Sequence, residues 1–125
     1  MATKNLTLDE LESTLNDNDI VLIDFWAEWC GPCRMFGPTF EKVSEKNPDI
    51  AFTKVNTEKE QQLAALFGIQ SIPTLAIFRD QIMIFKQPGA LPESSLEEVI
   101  KQVRALDMDK IRAEVEAQQA ETKAA

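Results

Sequence analysis

The chain has 125 residues, 44% of them apolar and 27% charged, which suits one folded domain with a real core and is too apolar for a disordered chain. Thirteen Lys and Arg against 21 Asp and Glu leave a net charge of −8, so the field of the molecule repels a phosphate backbone or an anionic membrane, and neither is an expected partner. There is no His, which removes Cys-His nucleophilic catalysis and every metal site that needs imidazole.

The opening MATKNLTLDELES holds neither an apolar leader core nor a small-residue cleavage site. No apolar run approaches the roughly 20 residues that span a bilayer, so a cytoplasmic protein is expected. Thr7 with Glu10 three residues on predicts a capping box, opening a short helix with Leu8, Leu11 and Leu15 on one side. IVLIDFW, residues 20–26, is rich in β-branched and aromatic side chains and too short for a helix. Being apolar on both faces, it predicts a central parallel strand covered by helices on each side. From Pro32, the positions Phe36, Phe40 and Val43 carry a helix to about Lys46, bent at Gly37-Pro38. IAFTKVN predicts a second strand, residues 58–67 a second buried helix, and Gly68 its left-handed terminator. TLAIFR and IMIFK flank Asp80-Gln81 and predict an antiparallel hairpin, with a weaker turn signal than Asn-Gly. LPESSLEEVIKQVRAL then supplies an amphipathic helix with Leu96, Val99, Ile100 and Val103 on its stripe.

The order β-α-β-α-β-β-α is that of an α/β protein, a mixed sheet with helices on both faces. Beyond it, Met108, Ile111 and Val115 recur at helical spacing but lie about a quarter turn off the preceding stripe. The helix is therefore expected to break near Asp107, with Asp107 or Asp109 capping a new short helix that frays beyond about Gln118. This divides the chain into a domain over residues 1–106 and an extension over 107–125.

Cys30-Gly31-Pro32-Cys33 joins the end of a predicted strand to the start of a predicted helix and contains the only two cysteines. Unsatisfied N–H groups and the positive end of the helix dipole face the first sulfur there and favour a thiolate over a thiol. Cys30 is thus the candidate nucleophile, and Cys33, one turn into the helix, is close enough to close a disulfide. Pro32 suits the first helical turn, where its missing N–H is unneeded. A zinc site, the rival reading of Cys-x-x-Cys, fails on ligand count, because no third Cys and no His is present.

Asp24 interrupts the most apolar strand of the chain. Strand alternation puts Leu22, Asp24 and Trp26 on one face and Val21, Ile23 and Phe25 on the other, and both faces are expected to be covered. A desolvated carboxyl has a raised pKa and can accept the proton of Cys33 when that thiol must attack a mixed disulfide. Phe25 and Trp26 are expected in the core. Trp29 lies outside the strand and reads either as a contact surface or as helix-end packing. Lys54 reads by default as an edge or solvent-facing residue, and Glu28 and Arg34 as solvated charges that tune the thiolate modestly.

DFWAEWCGPCR together with SIPT about 40 residues later resembles the thioredoxin family, and the resemblance extends from residue 4 to about 106, including the order of elements. It implies a thioredoxin fold and a protein-disulfide reductase, an electron carrier that needs no cofactor of its own. It further implies thioredoxin reductase as electron donor, disulfide-containing proteins as substrates and a monomer in the cytoplasm. Carried onto this chain, Cys30 is the nucleophile and Cys33 the resolving thiol, with Asp24 and its charge partner Lys54 behind them. Trp29, Gly31 and Pro32 form the surface beside the sulfurs. The cis-proline of the family falls on Pro73, the backbone of Ile72 would hold an extended substrate segment, and Gly89 and Ala90 line the rest of the groove.

The chain departs from the commonest family pattern at Arg34 in place of Lys, at Gln87-Pro88 before Gly89, at Asp80-Gln81 and in its last 19 residues. An oxidase or isomerase is the alternative within redox chemistry, and a binding module that uses the groove without turnover is the alternative outside it. Gly-Pro between the cysteines and a carboxylate behind them favour the reductant by family analogy.

Overall fold

The Ile20–Trp26 strand organises the molecule, which a computed structural model describes over residues 2–124. It is β2, the middle strand of a five-stranded sheet in the order β1-β3-β2-β4-β5. β1 (Thr3–Asn5) and β3 (Ala51–Asn56) run parallel to one another and to β2, whereas β4 (Thr74–Arg79) and β5 (Ile82–Pro88) complete the sheet antiparallel. Only a strand covered on both faces can be apolar at nearly every position, and every residue of Ile20–Phe25 is buried.

Alternation along β2 sorts its side chains into two cores, as the sequence predicts. Ile20 and Leu22 pack with Phe36, Phe40 and Val43 of α2 (Gly31–Lys46) and with Leu96, Ile100 and Val103 of α4 (Glu93–Arg104). Val21, Ile23 and Phe25 pack with Val55, Ala76 and Leu63, the last from α3 (Gln61–Leu66). Phe36, Phe40 and Phe52 are essentially inaccessible to solvent, so truncating any of them to Ala costs about 3–5 kcal/mol.

Several expectations are corrected. The three-residue β1 carries no apolar alternation and exists through its ladder with β3, Thr3 opposite Phe52. The capping box at Thr7 does not form: its hydroxyl donates to Glu10 Oε1 at 3.0 Å instead of accepting a backbone N–H, and a 3₁₀ turn at Leu8–Glu10 precedes α1 (Leu11–Asp17). Asn56 Oδ1 accepts the N–H groups of Glu58 and Lys59, at 3.0 and 3.4 Å, and this turn delays α3 to Gln61. Leu63 is its only buried residue, so this is not the buried helix expected over 58–67. Gly68 does terminate it with φ +61°, and the Ile69 N–H bonds back to the Ala64 carbonyl at 2.9 Å. Asp80 and Gln81 turn the hairpin with φ of 52° and 69°, both left-handed although neither is Gly.

The chain breaks after α4, as the offset stripe predicts, and α5 (Met108–Ala124) opens with the Lys110 N–H donating to Asp107 Oδ1 at 3.2 Å. α5 continues past Gln118 to Ala124 rather than ending there as a short helix. Met108 is buried, Ile111 and Val115 are half-buried, and Arg112 reaches Asp80 at 2.9 Å. Arg79 braces the junction, donating from Nη1 to the carbonyls of Val103, Arg104 and Leu106 at 2.8, 3.2 and 3.0 Å. Among the described residues no helix is long and apolar enough to cross a membrane.

Candidate active site

β2 delivers the chain to Trp26, and after three residues Cys30 stands at the N-cap of α2. Its sulfur accepts the Cys33 N–H at 3.2 Å, filling one of the orphan donors of the first helical turn. Cys30 and Cys33 are joined in a disulfide with their Cα atoms 5.2 Å apart. Both are buried, and Cys30 Sγ lies 3.7 Å from the Ile72 carbonyl oxygen. Pro32 occupies the first helical turn and is exposed, as is Gly31.

The return of α2 over the face of β2 that carries Leu22 determines what lies behind the sulfurs. Phe36, Phe40 and Val43 cover Ile20 and Leu22. Cys33, one turn before Phe36 on the same stripe, therefore comes down over the end of β2 that bears Asp24 and Trp26. A cleft of about 520 Å³ opens there between Trp26, Cys33, Arg34, Gly37 and Lys54. Asp24 is 1% exposed, and neither of its oxygens has a hydrogen-bond partner. Burial pushes its carboxyl up from 3.8 to about 7, against the pull of the Lys54 charge.

Lys54 is the register partner of Asp24 on β3, an interior strand, so it is neither an edge residue nor fully solvent-facing. Its ammonium stands 5.0 Å from the centroid of the Trp26 ring. Trp26 is only half-buried and lines the cleft, which corrects its expected place in the core. Arg34, expected to be solvated, is exposed, and it donates from Nε to the Glu28 carbonyl at 3.1 Å.

On the outer side the Ile72–Pro73 peptide is cis, and Gly89 donates its N–H to the Pro73 carbonyl at 2.8 Å, bringing Gly89 and Ala90 alongside. Gly89 has φ +105°, a conformation that suits Gly alone. Trp29 is 67% exposed, so it is a surface group and not helix-end packing, and its indole N–H donates to Glu58 Oε1. Trp29, Ala64, Ile69 and Ile72 bound a second cleft of about 310 Å³. Glu58 has no sequence signal beyond following Asn56, whose side chain sets the turn that presents it. The expected site residues thus divide between the redox turn, the groove before it and the buried carboxylate behind it, with Lys54 beside the carboxylate.

Comparison with known proteins agrees with this geometry. The thioredoxin family model matches residues 2–102. A Streptomyces coelicolor protein provisionally named thioredoxin 2 is 57% identical over 120 residues, 96% of this chain and 90% of its own length. That match leaves out at most a few residues, so it runs into the segment that forms α5. Thioredoxin from Mycoplasma pneumoniae is 35% identical over 82% of this chain and the whole of its own. Among solved structures, a mutant thioredoxin from Halobacterium salinarum superposes with a TM-score of 0.78 at 34% identity, covering 83% of this chain and 92% of that one. Oxidised mitochondrial thioredoxin 3 from Saccharomyces cerevisiae gives 0.74 at 33% identity over 81% and 95%.

Proposed function

This chain belongs to the thioredoxin family and exchanges dithiol for disulfide through Cys30 and Cys33, and on that premise we propose that it works as a reducing carrier with an ordered division of labour. The Cys30 thiolate attacks one sulfur of a substrate disulfide, and the other substrate sulfur leaves as a thiolate that takes up a proton. Asp24 then accepts the Cys33 proton, and the Cys33 thiolate attacks Cys30 Sγ. The second substrate thiol is expelled, and the Cys30–Cys33 disulfide closes. Two electrons pass to the substrate. The NADPH-dependent flavoprotein thioredoxin reductase returns them to the carrier, which acts as a monomer in the cytoplasm.

The observation that carries this order is the N-cap position of Cys30. Its sulfur sits where helix N–H groups favour a thiolate, whereas Cys33 lies a turn inside the helix, facing the end of β2 that holds a buried, unpartnered carboxyl. Trp29, Gly31, Pro32, Ile72, Pro73, Gly89 and Ala90 form the docking groove, in which an extended substrate segment pairs with the Ile72 backbone. The reducing direction rests on the Gly-Pro pair between the cysteines and on Asp24, the features shared with the reductants of the family. Residues 1–106 form the working domain, and 107–125 are an appendage to it.

Mass spectrometry of Cys→Ser variants mixed with a protein disulfide tests the order. Cys33→Ser accumulates a mixed disulfide through Cys30, and Cys30→Ser traps nothing. Trapping through Cys33 in Cys30→Ser would reverse the assignment.

A further inference from the structure

Among the described residues, three buried side-chain polar atoms lack a hydrogen-bond partner: both oxygens of Asp24 and Nε1 of Trp26. These two residues are i and i+2 on β2 and share a face, and Lys54 stands beside Asp24 in the β3 register. A lysine one strand away from a desolvated carboxylate would ordinarily close an ion pair with it. Here the ammonium lies over the Trp26 ring instead, and neither Asp24 oxygen has a bond to it. Gly37 of α2 completes the seat, since a Cβ added there would come to 3.7 Å from Lys54 Nζ.

We propose that Trp26 is a positioning residue for the exchange reaction, holding the Lys54 ammonium on its ring face and so keeping it from closing an ion pair on Asp24. The ring face carries the negative end of the indole quadrupole, and a partly dehydrated ammonium gains most from it. Trp26 and Lys54 line both the cleft that contains Cys33 and a second one, about 250 Å³, that opens past Asn5 and Lys59. They form a shared wall between two solvent openings. A lysine seated on this wall tempers the rise of the Asp24 pKa without abolishing it. Closed on the carboxylate, it would leave Asp24 too weak a base to take the Cys33 proton. This inference rests on the proton-acceptor role proposed for Asp24.

The charged groups around the seat are few. Glu28, Arg34 and Glu41 share the first cleft with Lys54, and Glu28, Lys59 and Glu60 share the second. Two of the carboxylates are engaged elsewhere, Glu41 with the Ala2 N–H and the Thr3 hydroxyl and Glu60 with the Leu8 N–H. Glu28 is exposed, and among the described residues neither its carboxylate nor any other forms an ion pair with Lys54. The Trp26 ring is therefore the group placed to hold the cation off Asp24.

Titration of the Asp24 carboxyl carbon by NMR, in the disulfide form where no thiol interferes, tests the proposal through a double-mutant cycle of Trp26→Leu and Lys54→Met. Trp26→Leu should lower the Asp24 pKa by about 1 unit or more, the effect of an opposite charge moving within contact, and Trp26→Phe by less. In the Lys54→Met background Trp26→Leu should leave it nearly unchanged. An equal drop in both backgrounds would mean that Trp26 only shields Asp24 from water, and no drop in the single variant would mean that it holds nothing. Either result overturns the proposal. The unmutated protein gives an independent reading: the Lys54 Cε protons should be shifted upfield by the indole ring, and random-coil shifts would remove the seat. These readouts do not use activity. Wild-type exchange in Asp24→Asn would sink the proton-acceptor reading while leaving the cycle intact.

Discussion

Replacing Asp24 by Asn should stabilise the fold, by an amount that grows with pH. The wild-type carboxyl is raised from 3.8 to about 7, chiefly by burial. In the unfolded chain it ionises near its ordinary value, so between these two values the unfolded state sheds a proton that the folded state keeps. Below about pH 4 both states hold the proton, and the residue costs nothing through ionisation. As pH climbs toward 7, wild-type stability drains away, and above 7 the loss levels off. About three pKa units at 1.36 kcal/mol each set an upper figure of about 4 kcal/mol, and water reaching the site through the adjoining cleft reduces it. Asn preserves the shape and the buried polar character of the protonated acid without ionising. Urea denaturation of both proteins in the disulfide form should therefore coincide within about 1 kcal/mol at pH 4 and differ by about 2–4 kcal/mol at pH 7.5, with the Asp24→Asn protein the more stable. Every other carboxylate titrates equally in the two proteins and cancels. A difference independent of pH would refute the reasoning, because it would place the effect in packing and not in ionisation.

Deleting residues 108–125 should leave insulin reduction within about twofold, a barrier change of some 0.4 kcal/mol, because α5 is tied to Asp80 at the far end of β4 from Pro73. A tenfold loss in the coupled NADPH assay would make the appendage part of the working machinery. Arg79→Met removes a charged donor from three helix-end carbonyls and should cost about 2 kcal/mol by denaturant melt, with exchange rates unchanged. A change below about 0.5 kcal/mol would show that water caps those carbonyls equally well.

The parts of the fold that were legible in the sequence are those whose burial is written in one segment. IVLIDFW declares a strand covered on both faces, Phe36, Phe40 and Val43 a helix stripe, and Asp107 or Asp109 a cap; the structure has the strand and the stripe and puts the cap at Asp107. β1 was not legible because Thr3–Asn5 becomes a strand only through its pairing with β3. The start of α3 depended on one side-chain acceptor, Asn56, competing for helix N–H groups. α5 outran its thin apolar stripe, in keeping with its Ala, Glu, Gln and Lys content, residues of high intrinsic helix propensity. In the site, the sequence pairs Cys30 with Cys33 and puts Asp24 on a covered face, since both follow from local spacing. The cross-strand register that sets Lys54 beside Asp24 is a tertiary fact, and only the resemblance pointed to it. The half-burial of Trp26 was hidden because alternation gives the face of a side chain and says nothing of how completely that face is covered at its end.

The lifetime of the mixed disulfide tests the account most directly. In stopped-flow mixing of the reduced protein with a disulfide substrate, release should accelerate in wild type as pH rises through about 7, where Asp24 becomes able to take the Cys33 proton, and then level off. Asp24→Asn should be at least about tenfold slower at pH 7 and should approach the wild-type rate only in alkali, where water removes the proton unaided. Superimposable profiles for the two proteins would contradict the account, because Cys33 would then lose its proton without Asp24.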